Sequence, residues 1–234
     1  MTSEVKKFSP VALVANIVAT SVVFPALILL LAGNWRWVEG WLLAIWIVAM
    51  ILFNMVYLYW KDPGLLAERT KRPGSENQKP WDKYLLVLIL AMAVLWLVLQ
   101  PLDAGRFHWS PTFPLWLKVV GGVALIPALY IIERTTIENT FLSTMVRIQT
   151  DRKQHVISTG PYGFVRHPLY LGCMLMMIGA PLLVGSIYSL ISSLIGSILI
   201  AYRIVGEEKM LVEELDGYDE YRKRVKYRLI PFVW

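Results

Sequence analysis

The sequence predicts an all-α polytopic membrane helical bundle, and three observations carry that expectation. Of 234 residues, 56% are hydrophobic and 17% charged, more apolar surface than one domain of this size can bury against itself. Apolar runs of spanning length recur along the chain. Lysine and arginine fall almost entirely into alternate connecting segments.

The first run, Val11 to Ala32, follows the two lysines of MTSEVKKFSP and is longer than the apolar stretch of a signal peptide, so it reads as a retained span. Runs at Gly40 to Trp60, Tyr84 to Leu102 and Leu115 to Ile132 supply three more. The block from Leu169 to Val205 is too long for one helix. Pro181 and Gly185 in APLLVGS break it into a tight helical hairpin, giving about six spans. Beyond Gly206 the tail alternates Glu, Lys, Tyr and Arg at helical spacing, which predicts a C-terminal helix outside the membrane.

With both termini in the cytosol, 20 of the 23 lysines and arginines face inward and only Arg36, Arg106 and Lys118 face out. The predicted outer loops carry Trp35, Trp37, Trp41, Phe107, Trp109 and Trp116, as an interfacial aromatic belt would. An integral membrane location follows, the plasma or inner membrane if the source is bacterial. The net charge of +6 therefore reports topology rather than nucleic-acid binding. The single Cys173 excludes an internal disulfide, and no His, Cys, Asp or Glu set has metal-ligand spacing. Glycine-rich dinucleotide, Walker and nucleophile-elbow motifs are absent too.

Two constellations on the inner side remain. In TGPYGFVRHPLYLG, Pro161 and Pro168 bias Gly160 and His167 toward extended backbone, and Pro168 suits the first turn of the next helix. Arg166, His167, Tyr162 and Tyr170 crowd that helix start, where free N–H groups favour a carboxylate or phosphate. Lipid headgroups and an interfacial belt would also account for Arg166 and the tyrosines. In AYRIVGEEKMLVEEL, Arg203 and Glu207 are four apart and share a helix face, with Glu208 turned aside. An arginine at the end of an apolar helix needs an anion, and Glu207 is the nearest in sequence. The hairpin returns this pair to the face from which His167 and Tyr170 depart.

These motifs, with YDEYRKRVKYRLIP after them, resemble the isoprenylcysteine carboxyl methyltransferases and their wider group, which includes phospholipid N-methyltransferases. The likeness spans Arg147 to Pro231, while DPGLLAERT and KPWDK are weakly similar to bacterial members. The resemblance implies an S-adenosylmethionine cofactor at the cytosolic face, leaving as S-adenosylhomocysteine. Its cofactor contacts fall on Gln149, Gln154, His155, Val156, Ile157, Tyr162, His167, Pro168, Leu169, Tyr170 and Glu207. Its substrate-carboxylate arginine falls on Arg203, so that Arg203 and Glu207 become the catalytic candidates. The chain departs from the family in being about one residue shorter between Glu208 and Tyr218, and in placing Gln154 where the family has a histidine.

The chain is then one membrane domain over residues 1–234, with a four-span region over 1–132 and a catalytic region over 133–234. The partners implied are a lipophilic acceptor entering from the membrane and membrane lipid, without nucleic acid or metal. The favoured acceptor is the carboxylate of an isoprenylcysteine-like molecule, with a small thiol or lipid amine as alternatives. A sterol-type NADPH reductase shares an R-H-x-x-Y-x-G pattern, but such sequences usually carry an acidic residue where Cys173 stands, and Pro168 favours the methyltransferases. A non-enzymatic scaffold whose charges only bind lipid is the third reading.

Overall fold

A computed structural model describes residues 9–74 and 77–234; Lys6 and Lys7, two of the cations assigned to the inner side, lie outside the described residues. The elements are α1 (Pro10–Ala32), α2 (Val38–Lys61), α3 (Pro63–Arg69), α4 (Pro80–Gln100), α5 (Leu115–Glu138), α6 (Pro168–Val184), α7 (Ile187–Glu214) and α8 (Tyr218–Arg224). Every regular element among the described residues is helical. Five helices are long and apolar enough to cross a membrane: α1, α2, α4 with its extension, α5 and α7. The sixth expected span, α6, has 17 residues and so rises about 26 Å, a little short of a hydrocarbon core about 30 Å thick.

Large apolar side chains such as Val18, Val22, Leu88, Val94, Ile126, Leu194 and Ile198 are exposed on the outside of the bundle, as lipid contact requires. Its centre packs Ile28, Leu43, Ile47, Trp96, Leu125, Ala180 and Val184. With lipid outside as apolar as the core inside, close backbone approach and polar contacts hold the helices together. At the antiparallel α5–α6 crossing, a Cβ on Gly121 would stand 2.4 Å from Leu183 N and 2.6 Å from Gly179 O. Only glycine allows that approach. The parallel pair α2–α5 is tied twice at matching steps: Trp46 Nε1 donates to Leu125 O at 3.1 Å, and Asn54 Nδ2 to Glu133 Oε2 at 2.6 Å.

Pro101 lacks an amide hydrogen, and α4 continues through Pro101–Phe107 as a wider π-helical turn. This turn carries the fully buried Asp103, which accepts from Ser110 N at 2.7 Å, Ser110 Oγ at 2.7 Å and Ser186 Oγ at 2.6 Å. Asp103 thereby fastens the end of α4 to the α6–α7 turn. That turn is the predicted hairpin: Gly185 adopts φ +85°, and its N–H reaches Pro181 O at 2.8 Å. At the other end α7 runs 28 residues, about 42 Å, and projects beyond the apolar layer. Its last two turns, α8 and the segment between α5 and α6 form a polar cap there.

Candidate active site

The cap is built mainly from irregular chain between α5 and α6, where side chains replace helix ladders as backbone partners. Gln149 is buried inside it: Nε2 donates to Phe141 O at 2.7 Å, Oε1 accepts from Arg152 Nη1 at 2.8 Å, and its N–H reaches Gln154 Oε1 at 2.7 Å. Extended backbone, expected at Gly160, is not what the fold adopts. Gly160 has φ +56° and starts a short 3₁₀ turn through Gly163; a Cβ there would meet Glu138 Oε2 at 2.8 Å. Pro168 opens α6 as expected, leaving the Leu169 and Tyr170 amides ahead of the first intrahelical bond, Leu171 N to His167 O at 3.3 Å.

Between the cap and the adjoining ends of α6 and α7 lies a half-open cavity with about 820 Å³ of unfilled space, open solvent at its mouth included. Of the eleven positions expected to hold a cofactor, nine line it: Gln154, His155, Val156, Ile157, Tyr162, His167, Leu169, Tyr170 and Glu207. Gln149 and Pro168 do not; the first braces the cap from behind and the second is buried in the helix start. Phe141, Met210, Leu211, Tyr218 and Tyr221 are among the other residues of the wall. Met210, Leu211, Tyr218 and Tyr221 lie within the quoted motifs without having been singled out there, and Phe141 lies in none of them.

The Tyr170 hydroxyl donates to Glu207 Oε2 at 2.7 Å, joining the two distant motifs. His167 Nε2 and the Tyr218 hydroxyl are buried at the cavity with no hydrogen-bond partner among the described residues. Burial pushes the His167 imidazole below its ordinary pKa and the Tyr218 phenol above its own. Both are neutral near pH 7 and open to a ligand's polar atoms. The chemistry suits S-adenosylmethionine: a carboxylate for its ammonium, aromatic faces for its adenine and sulfonium, and orphaned polar atoms for its hydroxyls or ring nitrogens.

Charge pairing differs from the sequence expectation. Arg203 meets Asp82 rather than Glu207: Nε reaches Asp82 Oδ1 at 2.7 Å, Nη2 reaches Oδ2 at 3.3 Å, and Nη2 also donates to Thr144 O at 2.6 Å. The anion came from α4, 121 residues away, and no local spacing could reveal it. Arg203 itself does not line the cavity. Nor does Glu208 turn aside. It is 3% exposed and holds Arg166 Nε at 2.5 Å together with Arg228 Nε. Arg166 also donates from Nη1 to the carbonyls of Val225 and Lys226, both at 2.7 Å, so this arginine, for which lipid headgroups were the alternative partner, clamps the C-terminal strap. The tail that could have lain on lipid packs α8 against the site: Tyr221 hydroxyl donates to Tyr162 O at 2.7 Å. A third buried pair, Arg147 with Glu68 at 2.8 Å, bolts α3 to the cap.

The model of the isoprenylcysteine carboxyl methyltransferase (ICMT) family matches residues 123–213, which include His167, Tyr170, Arg203 and Glu207. The resemblance read from the motifs is borne out over that stretch. The Protein-S-isoprenylcysteine O-methyltransferase of Schizosaccharomyces pombe is 40% identical over 76 residues, 31% of this chain and 32% of that protein. The Delta(14)-sterol reductase TM7SF2 of Mus musculus is 32% identical over 90 residues, 37% of this chain and 22% of that protein. The match thus spans about a third or less of the length of these curated relatives. A solved eukaryotic intramembrane Ras methyltransferase, ICMT, aligns over 97% of this chain and 88% of its own with a TM-score of 0.48 and 15% identity.

Proposed function

We propose that the chain is a membrane methyltransferase that uses S-adenosylmethionine to methylate a lipophilic acceptor, with the carboxylate of an isoprenylcysteine-like molecule favoured. The observation that carries this reading is the single cavity lined by Gln154 to Ile157, Tyr162, His167, Tyr170 and Glu207, segments that lie apart in sequence. Residues 133–234 are the catalytic region on this reading, braced by Glu68 and Asp82 from the first region. The positive-inside distribution supports a cytosolic cavity and cytosolic termini.

Bound in the cavity, S-adenosylmethionine supplies a methyl group already activated on its sulfonium and leaves as S-adenosylhomocysteine. Glu207, held by Tyr170, would hold its ammonium, and His167 and Tyr218 would each offer it a polar atom. A carboxylate acceptor is ionised at pH 7 and needs no general base. The protein's task is then to align the acceptor oxygen with the methyl carbon and strip water from it. Asp82 takes the Nε and Nη2 edge of Arg203, so a two-pronged grip on the acceptor carboxylate through that edge is ruled out. Arg203 then acts through its positive field beside Glu207 rather than by touching the acceptor.

The test is binding and transfer by the purified chain in detergent or nanodiscs. S-adenosylmethionine should raise the melting temperature, and labelled methyl should pass to N-acetyl-S-farnesylcysteine in preference to small thiols or lipid amines. Stabilisation by NADPH with none by S-adenosylmethionine would move the assignment to the reductase that the mouse relative represents. Transfer to an amine or thiol alone would keep the cofactor and replace the acceptor.

A further inference from the structure

Three helices converge behind the cavity on a polar cluster that the proposed chemistry leaves unused. Asn54 on α2 and Glu133 on α5 share the 2.6 Å bond described above, and Arg69 ends α3. Among the described residues Asn54 Oδ1, Arg69 Nη1 and Glu133 Oε1 are all buried without a hydrogen-bond partner. Glu133 is 8% exposed. Arg69 and Glu133 attract each other electrostatically yet do not hydrogen-bond. Arg147, Arg166 and Arg203 by contrast each sit on a carboxylate at hydrogen-bond distance. Unpartnered polar atoms of this kind inside an apolar bundle are costly unless a further group satisfies them.

The cluster faces the cavity through Arg69, which interacts electrostatically with Tyr162 in the cavity wall. It also borders lipid. Asn54 lies seven residues, about 10 Å, inside the end of α2 at Lys61. An apolar groove lined by Leu52, Phe53, Val56, Tyr57 and Trp60 runs along the same turns of that helix. A ligand here must bring an acceptor for the Arg69 N–H, a donor for the Glu133 and Asn54 oxygens, and an apolar tail.

We propose that Asn54, Arg69 and Glu133 form a second polar site that receives the head of the membrane-borne acceptor, its anionic oxygen on Arg69 and its neighbouring N–H on Glu133 and Asn54. The proposal rests on the methyltransferase reading above and adds a specificity site to it. A phospholipid head with phosphate and ammonium offers the same chemistry, and the experiment separates the two.

Wild type, Arg69→Met, Arg69→Lys and Glu133→Met are compared on N-acetyl-S-farnesylcysteine and on S-farnesylthiopropionate, which keeps the carboxylate and lacks the N–H. Arg69→Met should raise KM for both acceptors by roughly 10- to 100-fold, with Arg69→Lys recovering part. Glu133→Met should raise KM only for the acceptor with the N–H. Affinity for S-adenosylmethionine should be unchanged throughout, which also shows that the variants are folded. If Arg69→Met or Glu133→Met does not fold, Arg69→Lys and Glu133→Gln carry the same comparison with smaller shifts. Unchanged KM values in the folded variants overturn the second site and leave the methyltransferase reading standing. If wild type methylates neither compound, the carboxylate acceptor of that reading fails, and thermal stabilisation by the two amphiphiles or by phosphatidylethanolamine vesicles decides the site. Stabilisation by the amphiphiles that is lost in Arg69→Met upholds it. Arg69-dependent stabilisation by phosphatidylethanolamine alone, or no dependence on Arg69, overturns it.

Discussion

Arg203 and Asp82, 121 residues apart, meet at 2.7 Å with both side chains buried, and the same carboxylate accepts Val146 N–H at 2.9 Å and Gln78 Nε2 at 2.7 Å. One α4 residue thus fixes the orientation of an α7 arginine and the edge of the cap together. Removing one member of a buried pair strands the other charge, at a cost of about 3–5 kcal/mol. Asp82→Ala should therefore lower thermal stability strongly, and Asp82→Asn/Arg203→Met should recover most of it while remaining unable to transfer methyl. Melting curves and turnover of the three proteins test this; a recovered double variant with full activity would remove Arg203 from the mechanism.

Tyr170→Phe deletes the hydroxyl that holds Glu207 and leaves the packing of the ring beside His167. A hydrogen bond to a charged group contributes about 1.5–3 kcal/mol, so affinity for S-adenosylmethionine should fall by roughly tenfold or more. Glu207→Ala should cost at least as much. Equilibrium binding of labelled cofactor gives both numbers, and wild-type affinity in the pair would place the cofactor's ammonium elsewhere.

Glu208→Gln weakens the hold on Arg166 and Arg228 together, and with it the strap formed by Arg166 N to Tyr227 O at 3.0 Å and His167 N to Arg228 O at 2.9 Å. Hydrogen exchange should accelerate at residues 225–229 and at 165–167 while the α5–α6 crossing stays protected. Acceleration spread over the whole bundle would instead mean global destabilisation.

Acid sensitivity follows from Glu68. Burial opposes its charge, but hydrogen bonds from Arg147 and Lys71 outweigh that and hold its carboxyl at about 2 against an ordinary value of 4.5. A depressed folded-state pKa gives stabilisation that is complete above about pH 4.5 and lost as pH falls toward 2. Glu68→Gln should be less stable than wild type at pH 7 and should lose less stability over that acid range. Melting temperatures from pH 7 down to 3 give the comparison.

Gly121→Leu should separate α5 from α6, since even a Cβ would stand 2.4 Å from Leu183 N. Overpacking of this kind costs about 1–3 kcal/mol or more. A melting temperature equal to wild type would mean that the two helices do not cross there.

The sequence by itself determined the helical spans and the hairpin at Pro181 and Gly185, and the resemblance its motifs carry implied most of the cavity lining from Gln154 to Glu207. Those features follow from local rules: span length, backbone limits at proline and glycine, and motifs whose residues stay close in the chain. Only the tertiary structure decided the charge partners. Asp82 for Arg203, Glu208 for Arg166 and Arg228, and the open set of Asn54, Arg69 and Glu133 each join helices far apart in sequence. Glu207 was the near anion, but its four-residue spacing only made contact with Arg203 feasible. In a bundle surrounded by lipid a buried cation is satisfied by whichever carboxylate packs against it, and that depends on helix order and crossing rather than on spacing.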